Sequence, residues 1–411
     1  MFAKNLTKIF LNIVTANQFI KMKNRIYLDN SATTQTDEKV IRRLSDFLRE
    51  NYANPSSQHS LGKSAREEIE SAREEIAKSI NANQDEIIFT SGGTESDNLA
   101  IKGIAFFQED KSKNQIITSK IEHPAILRTC EELENAGFKI DYISVDKEGI
   151  INLEELKSKI SEKTAIVSVM HANNEIGTIQ PIEKIGKICR EKNIPFHTDA
   201  VQSFSKIKIN VKKQNIDLLS VSGHKINAPK GSGFLYVRKD LQKNLNKLYL
   251  QTGGGQEFNL RGGTENTEGI IALAEALKIK RDNNHTKKVR DYLIKKLQKI
   301  PGTKINGSIE KRLCHNVNVS FYGIEGESLM LILDKKNIFV STGSACSSAK
   351  LQESHVLKAI HTEPLYTHGS IRITLDNRKN YQLTKSRADF VIKNIKQSVD
   401  KLRKISLFKL K

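Results

Sequence analysis

The sequence predicts an α/β fold with a mostly parallel sheet, followed by a smaller α+β domain. Short apolar runs such as Lys163–Met170 and Ile216–Val221 alternate with segments of helical spacing, as in strands joined by crossover helices. Polar residues directly follow these runs. Because ligands of parallel sheets bind outside the carboxyl ends of the strands, we expect these polar residues to meet at one edge.

The first part of the chain supplies the parallel sheet. Arg25–Thr34 predicts a short strand that breaks into a polar turn. Bounded apolar runs predict the further strands Ile87–Thr90, Gln115–Thr118, Ile140–Val145, Lys163–Met170, Pro195–Gln202, Ile216–Val221 and Phe234–Val237. Helical spacing predicts helices at Asp37–Glu50, at Ser64–Ile80, from Ala125 through Leu133 and at Ile182–Lys192.

The last part of the chain predicts a smaller domain. A helix over Leu273–Asn284 is expected to cross into it. Alternation predicts strands Asn316–Phe321 and Ser370–Leu375, and helical spacing predicts helices Thr286–Leu297, Ser328–Leu333 and Thr384–Lys404. We therefore divide the chain into an extension (1–24), a large domain (25–282) and a small domain (283–411).

Composition excludes several classes of protein. The formal net charge of the 411 residues is +19, but the lysines are spread along the chain without an aromatic-studded basic motif. We attribute the charge to compositional bias and expect no direct nucleic-acid binding. No apolar run approaches the roughly 20 residues of a membrane span. Four cysteines do not make a secreted disulfide framework, which favours a reducing compartment such as the cytoplasm.

Residues 1–24 look like an addition to the globular chain. They contain lysines but no acidic residue, which is a feature of organelle-targeting leaders. Met22 would also serve as an ordinary start, so a translation-start artefact is the other interpretation. Both remain open from the sequence.

The functional prediction depends on residues 220–237. Lys225 lies in a tight turn between two apolar runs, with Ser222 and His224 beside it. Burial disfavours the charged form of a lysine, and attack on an aldehyde requires a neutral amine. Taken alone, this stretch equally fits a lysine that caps a loop or pairs with a carboxylate.

An anion site and a ring site complete the set that a pyridine aldehyde phosphate requires. Thr94 follows a glycine turn at a helix start, which offers backbone N–H groups to an anion, and Ser222 and His224 add donors. Asp199 ends a strand and would keep the ring nitrogen protonated. Three more polar residues follow strands and would serve the ring: Gln202 and Asn174 at the phenolic oxygen, and His123 by stacking and proton transfer. Each has an ordinary structural explanation, but the whole set points to pyridoxal 5'-phosphate.

The chain resembles the cysteine desulfurases of the NifS/IscS group, in the class-V aminotransferase family of fold-type I pyridoxal-phosphate enzymes. The resemblance covers nearly all of residues 25–400. The motifs that carry it are Tyr27-Leu-Asp-Asn30 with Ala32-Thr-Thr34, Asn54-Pro-Ser-Ser57, Thr90-Ser-Gly-Gly-Thr94-Glu-Ser, Glu122-His123-Pro, Met170-His-Ala-Asn-Asn174-Glu-Ile-Gly, His197-Thr-Asp199-Ala-Val-Gln202, Ser222-Gly-His224-Lys225, Arg261-Gly-Gly-Thr264-Glu-Asn and Gly343-Ser-Ala-Cys346-Ser-Ser.

The resemblance implies a fold and a set of roles. The large domain would hold a mostly parallel seven-stranded sheet between helices. Lys225 would hold the cofactor, and its phosphate would be bound by Gly93, Thr94, Ser222 and His224. Thr264 would reach the phosphate of the neighbouring subunit in a homodimer. Arg372, with Asn174, would bind the carboxylate of L-cysteine, a task suited to the guanidinium fork.

The implied reaction converts L-cysteine to L-alanine and leaves the sulfur as a persulfide on Cys346. The loop Ser341–Leu351 has small polar residues and no apolar anchor before Leu351, so we expect it to move. Cys346 would then reach a sulfur acceptor, such as an iron–sulfur scaffold or a tRNA-thiolation protein. The sequence departs from the family at Ala228 and Asp376, where glycine is usual, and we expect only local loop changes there.

Alternatives remain open from the sequence. Another pyridoxal-phosphate enzyme, an aminotransferase or a selenocysteine lyase, would share Lys225 and Asp199 without needing Cys346. A non-catalytic scaffold of a sulfur-transfer complex would keep the fold and bind partners through its basic tail, although the intact Arg372 argues against a dead enzyme. A nucleic-acid binder would show a steep salt dependence of RNA affinity.

Overall fold

The computed structural model describes residues 25–109, 112–245, 251–342 and 353–408. The predicted leader and the segment that contains Cys346 lie outside these residues. Within them, no helix is both long enough and apolar enough to cross a membrane.

A seven-stranded sheet forms the centre of the large part, as predicted. The first strand of the chain, β1 (Ile26–Tyr27), lies outside this sheet. The seven strands of the sheet are β2 (Ile87–Thr90), β3 (Gln115–Ser119), β4 (Lys139–Ile143), β5 (Thr164–Ser168), β6 (Phe196–Asp199), β7 (Leu218–Ser222) and β8 (Gly233–Val237). Their order is β2-β8-β7-β6-β5-β3-β4. Only β8 runs against its neighbours, because the tight turn at Lys225 joins it directly to β7.

Apolar side chains cover both faces of this sheet. Successive residues of one strand enter different cores: Ile166 packs in one cluster and Val167 in the other. Since neighbouring side chains of a strand point to opposite faces, a strand buried on both faces is apolar without alternation. This explains why the apolar runs of the sequence predicted these strands well.

The helices of the large part follow the predicted pattern with some differences. They are α1 (Glu38–Glu50), α2 (Ser60–Ile80), α3 (Gly93–Glu109), α4 (Pro124–Asn135), α5 (Leu153–Lys159), α6 (Ile182–Glu191), α7 (Lys239–Leu245) and α8 (Thr267–Leu277), with short 3-10 turns at Gln84–Glu86 and Gly223–Lys225 and an irregular turn at Gln256–Asn259. Helix α2 begins at Ser60 and not at Ser64, because the His59 ring accepts a hydrogen bond from the Gly62 N–H. Helix α5 was not predicted, since it has only seven residues.

The single helix predicted over Leu273–Asn284 is wrong. Helix α8 ends at Leu277 and a new helix, α9 (Asn283–Leu297), begins after a break. The break arises because Asp282 caps α9 by accepting from the His285 N–H, while its own N–H donates to the Asn377 carbonyl. The predicted domain boundary at 282/283 falls in this break and stays a prediction.

The last part of the chain is an α+β unit. Its strands are β9 (Thr303–Ile305), β10 (Asn316–Phe321), β11 (Ile338–Phe339) and β12 (Ser370–Thr374), and its helices are α9, α10 (Gly326–Asp334), α11 (His355–Ala359), α12 (Pro364–Thr367) and α13 (Lys385–Ile405). Strands β9, β10 and β12 form an antiparallel sheet, and β11 pairs with β1. Ile26 and Leu28 therefore pack in this core, although they come first in the chain.

The two departures from the family pattern have local explanations. Asp376 forms an ion pair with Arg378, whose guanidinium also contacts Asp37 and lies 3.7 Å from the Tyr381 ring centroid. Ala228 is buried behind the turn of Lys225. Neither residue lines the pocket described below.

Candidate active site

One pocket of about 430 Å³ gathers most of the predicted site residues. It lies at the carboxyl ends of the central strands, where the sequence placed it. The predicted residues that line it are Gly93, Thr94, His123, Asn174, Asp199, Gln202, Ser222, His224, Lys225 and Arg372. Thr264 is exposed and does not line it, and Cys346 belongs to the segment outside the described residues.

Lys225 ends a 3-10 turn that directly follows β7. The turn is tight because the Gly223 N–H donates to the Ser232 carbonyl, and a Cβ on Gly223 would lie 2.7 Å from Ser232 Oγ. The Lys225 Nζ donates to the carbonyls of Ser31 (2.5 Å) and Ala32 (2.7 Å). The polar turn after β1 therefore holds the amine at the pocket wall.

The start of helix α3 forms the anion end of the pocket. Gly93 and Thr94 are its first residues, so their backbone N–H groups and the positive end of the helix face an anion. A Cβ on Gly93 would lie 2.7 Å from Val201 Cγ2, which makes glycine necessary for this close approach. Burial and then Lys225 and Lys230 lower the pKa of His224 to about 4, so its neutral ring serves as a hydrogen-bonding group.

Two buried carboxyl groups face the middle of the pocket. Asp199 Oδ1 accepts from the Val201 N–H at 2.8 Å, and burial raises its pKa. Asp97 was not predicted; burial, and then the charge of Asp199, raise its pKa as well. Its Oδ1 has no hydrogen-bond partner among the described residues. A cation placed beside Asp199 would stabilise its ionised form.

His123 caps helix α4 and also lines the pocket. Its Nδ1 accepts from the Ala125 N–H at 3.1 Å, which assigns the ring proton to Nε2. Burial, followed by Lys225 and His355, lowers the pKa of His123 to about 4. The ring is therefore neutral near pH 7, with Nε2–H as its donor.

Arg372 supplies a fixed guanidinium group. It lies in β12 and its side chain is only 3% exposed. Nη2 forms an ion pair with Asp29 (2.8 Å) and Nη1 donates to the Asn174 carbonyl (3.1 Å), whereas Nε has no partner among the described residues. The group is thus held in place and keeps donors for a carboxylate ligand.

The pocket fits pyridoxal phosphate. It offers an amine, a glycine-lined helix start for a phosphate and a carboxyl group for the ring nitrogen. It also holds buried polar atoms without partners in the described part of the chain: Gln202 Oε1, Asp97 Oδ1 and Arg372 Nε. Such atoms are costly unless a ligand or water satisfies them, so they mark the wall as a binding surface.

Several residues of the site were not predicted from the sequence. Asp97 lies one helical turn after Thr94, so its spacing in the motif was an available signal. Lys230, directly before the turn glycine Gly231, also lines the pocket. Asp29 does not line the pocket itself, but it forms an ion pair with Arg372, 343 residues away. No local pattern reveals such a pair.

Fold and pocket together define an α/β enzyme that binds pyridoxal phosphate. The sequence model described as aminotransferase class-V matches residues 26–402, and the chain belongs to this family. It is 48% identical over 386 residues to the "Cysteine desulfurase IscS" of Methanosarcina thermophila, covering 93% of each chain. It is 47% identical over 395 residues to the protein of the same name from Dictyoglomus turgidum, covering 94% of this chain and 98% of that one.

Solved structures show the same likeness. A "NIFS-LIKE PROTEIN" superposes with a TM-score of 0.83 at 38% identity, covering 92% of this chain and all of that one. "SspA in complex with cysteine" superposes with a TM-score of 0.78 at 37% identity, covering 86% of this chain and 99% of that one. The expected family and fold are confirmed.

Proposed function

We propose that this protein is a cysteine desulfurase, which converts L-cysteine to L-alanine and holds the released sulfur on Cys346. The observation that carries the proposal is one pocket that joins Lys225, Asp199 and the fixed guanidinium of Arg372. Amine, ring partner and carboxylate receptor are what a pyridoxal-phosphate enzyme acting on an amino acid requires. The names of the relatives supply the substrate.

Each pocket residue has a task in this proposal. Bound pyridoxal phosphate supplies an aldehyde that links to an amine and a ring that withdraws electrons from the neighbouring carbon. Lys225 holds it and, when released, takes the proton from the substrate Cα. Asp199 keeps the ring nitrogen protonated, and Arg372 binds the substrate carboxylate. His123 donates its Nε2–H within the pocket.

Cys346 is the proposed nucleophile. Its thiolate attacks the substrate sulfur, so an S–S bond forms while the C–S bond breaks and its electron pair stays with carbon. Protonation of that carbon, together with return to Cα of the proton that Lys225 took, gives L-alanine, and the enzyme carries one added sulfur atom. No external oxidant is consumed, because the sulfur atom passes from the substrate to Cys346 while the electron pair of the broken C–S bond stays on the substrate carbon.

The residues on either side of the undescribed segment 343–352 support this role. Before it, Ser341 exchanges backbone hydrogen bonds with Arg372 in the pocket. After it, Ser354 Oγ donates to Glu175 (2.6 Å), and His355 Nε2 lies 3.0 Å from the Glu122 carbonyl. Cys346 is four residues from Thr342, a span of at most about 14 Å. The position of Cys346 in the sequence, next to residues that contact the pocket, supports this role.

None of the three cysteines in the described part of the chain is a comparable candidate for the nucleophile. Cys130 and Cys189 are buried in the core, as predicted, and burial raises the pKa of Cys130 to about 12. Burial also raises the pKa of Cys314. None of the three lines the pocket.

We further propose a homodimer whose partner reaches the phosphate through Thr264, which is exposed in the isolated chain. The sulfur acceptor would be an iron–sulfur scaffold or a tRNA-thiolation protein, in the cytoplasm. The organelle-targeting alternative depends on residues 1–24, outside the described residues.

The test measures alanine and sulfide together after incubation of the holoenzyme with L-cysteine and a reductant. We expect equal amounts from the wild type, neither from Cys346→Ala, and wild-type amounts from Cys189→Ala, a core thiol that does not line the pocket. Products that survive Cys346→Ala would favour a lyase without a persulfide. A cofactor-loaded wild type that forms neither product would contradict the proposal.

A further inference from the structure

Lys206 contacts the turn of Lys225 but does not line the pocket. Its Nζ donates to the Lys225 carbonyl at 3.2 Å. On the next residue, Arg281 Nη2 donates to the Ile226 carbonyl at 2.8 Å. Successive carbonyls of the turn are thus held by two cationic side chains, and neither side chain lines the pocket.

Lys206 also connects this turn to the last part of the chain. Its own carbonyl accepts from Asn283 Nδ2 at 2.9 Å, at the start of helix α9. Asn283 Oδ1 in turn accepts from Asn377 Nδ2, just after the strand that carries Arg372. Lys206 and Asn283 therefore link the backbone of the Lys225 turn to the segment that follows the strand of Arg372.

Few compensating charges surround the Lys206 ammonium. The groups that act on it are Arg281, Cys314, Lys225 and Asp376, and it in turn acts on the buried ring of His315. The residue keeps some exposed surface, but its amino group lies inside this cluster. Burial, followed by Arg281, lowers the pKa of Lys206 to about 7. Lys206 therefore changes charge in the range in which enzymes work.

We propose that Lys206 is a positioning residue for attachment of the cofactor: it holds the Lys225 carbonyl and, when charged, opposes a second positive charge on the Lys225 amine. Attack on an aldehyde requires the neutral amine, and a neighbouring cation is one way to favour it. This inference rests on the proposed function, because it assumes that pyridoxal phosphate attaches at Lys225.

The proposal has a signature in pH. Below about pH 7 Lys206 is charged, so it both holds the turn and opposes protonation of Lys225. Above that pH it is neutral and only its hydrogen bond remains. Removing Lys206 should therefore slow attachment of the cofactor more at about pH 6 than at about pH 9. Removing a residue that only supports the fold would slow attachment by the same factor at both pH values.

The experiment follows attachment itself and not turnover. Apoenzymes are mixed with pyridoxal phosphate, and the absorbance of the linked cofactor gives the rate of attachment, in which the amine adds to the aldehyde carbon and one water leaves. For Lys206→Met we expect a rate lower by roughly tenfold at about pH 6 and roughly threefold at about pH 9. Lys208→Met removes an exposed neighbouring lysine and should match the wild type at both pH values.

Two further variants keep the test decisive if Lys206→Met folds poorly, which its thermal unfolding would reveal. Lys206→Arg keeps a donor and a charge and should restore the rate at about pH 6. Asn283→Ala releases the backbone of Lys206 but keeps its charge, so it should slow attachment by the same modest factor at both pH values.

The failure of this inference differs from failure of the proposed function. If the wild type attaches pyridoxal phosphate and Lys206→Met attaches it equally fast, the role of Lys206 is overturned; if Lys206→Met is slower by one constant factor, the charge-dependent part of that role is overturned. A wild-type apoenzyme that never attaches the cofactor would overturn the proposed function itself.

Discussion

Arg372→Lys is the substitution that tests the substrate site most sharply. The guanidinium is nearly fully buried and its orientation is fixed by Asp29 and by the Asn174 carbonyl, while Nε keeps a free edge for a ligand. Lysine keeps the charge but loses the planar fork, so a bound carboxylate loses one charge-assisted hydrogen bond. Such a bond contributes about 1.5–3 kcal/mol, which corresponds to a loss of roughly 10- to 150-fold in kcat/KM.

The distribution of this loss is itself predicted. The substrate carboxylate does not change during the reaction, so Arg372 binds substrate and transition state alike, and the loss should appear in KM with kcat nearly constant. The assay is the initial rate of alanine formation against L-cysteine concentration. Arg128→Lys, at a surface ion pair where Arg128 is 78% exposed, is the matched control and should leave both constants unchanged.

An Arg372→Lys enzyme with the thermal stability of the wild type and a KM within about twofold of it would refute this role. A fall in kcat at constant KM would also contradict it, because it would place Arg372 at the reacting atoms.

Two further predictions concern stability. Arg73 and Glu257 form a bidentate ion pair (2.7 and 2.8 Å) with both side chains 2% exposed. Glu257→Gln should therefore lower the free energy of unfolding by about 3 kcal/mol, whereas Glu74→Gln, at an exposed ion pair, should lower it by less than about 0.5 kcal/mol. Equal denaturant midpoints for the two variants would contradict this. Burial lowers the pKa of His171 to about 4 from 6.5, so the unfolded chain takes up a proton first and stability falls as the pH drops from about 6.5 to 4. His171→Gln should remove up to about 3 kcal/mol of that fall, measured as thermal midpoints across this pH range, and an unchanged slope would count against a neutral, buried ring.

Much of the fold followed from local patterns. The strands of the central sheet are buried on both faces, so they were visible as apolar runs, and residues that follow them were bound to meet at one edge. The turn of Lys225 was predicted because glycines and a proline interrupt two such runs. The break between α8 and α9 was missed, since its cause is a cap by Asp282 and a contact with Asn377, far along the chain.

The gathering of most candidate site residues in one pocket was predicted for the same reason. Residues that face the ligand follow strands and could be found in order, as Asp199 and Lys225 were. Residues that hold these groups are not neighbours in the sequence: Asp29 contacts Arg372 across 343 residues, and Lys206 contacts the Lys225 carbonyl across 19. Their side chains carry no local pattern, so only the folded chain reveals them.

The central claim is that Cys346 takes the sulfur of L-cysteine. The most direct measurement is peptide mass spectrometry of the holoenzyme after incubation with L-cysteine without reductant. The account predicts one added sulfur atom on the peptide that contains Cys346, in an amount equal to the alanine released. Alanine released while that peptide stays unmodified, or sulfur found on Cys314 instead, would contradict it.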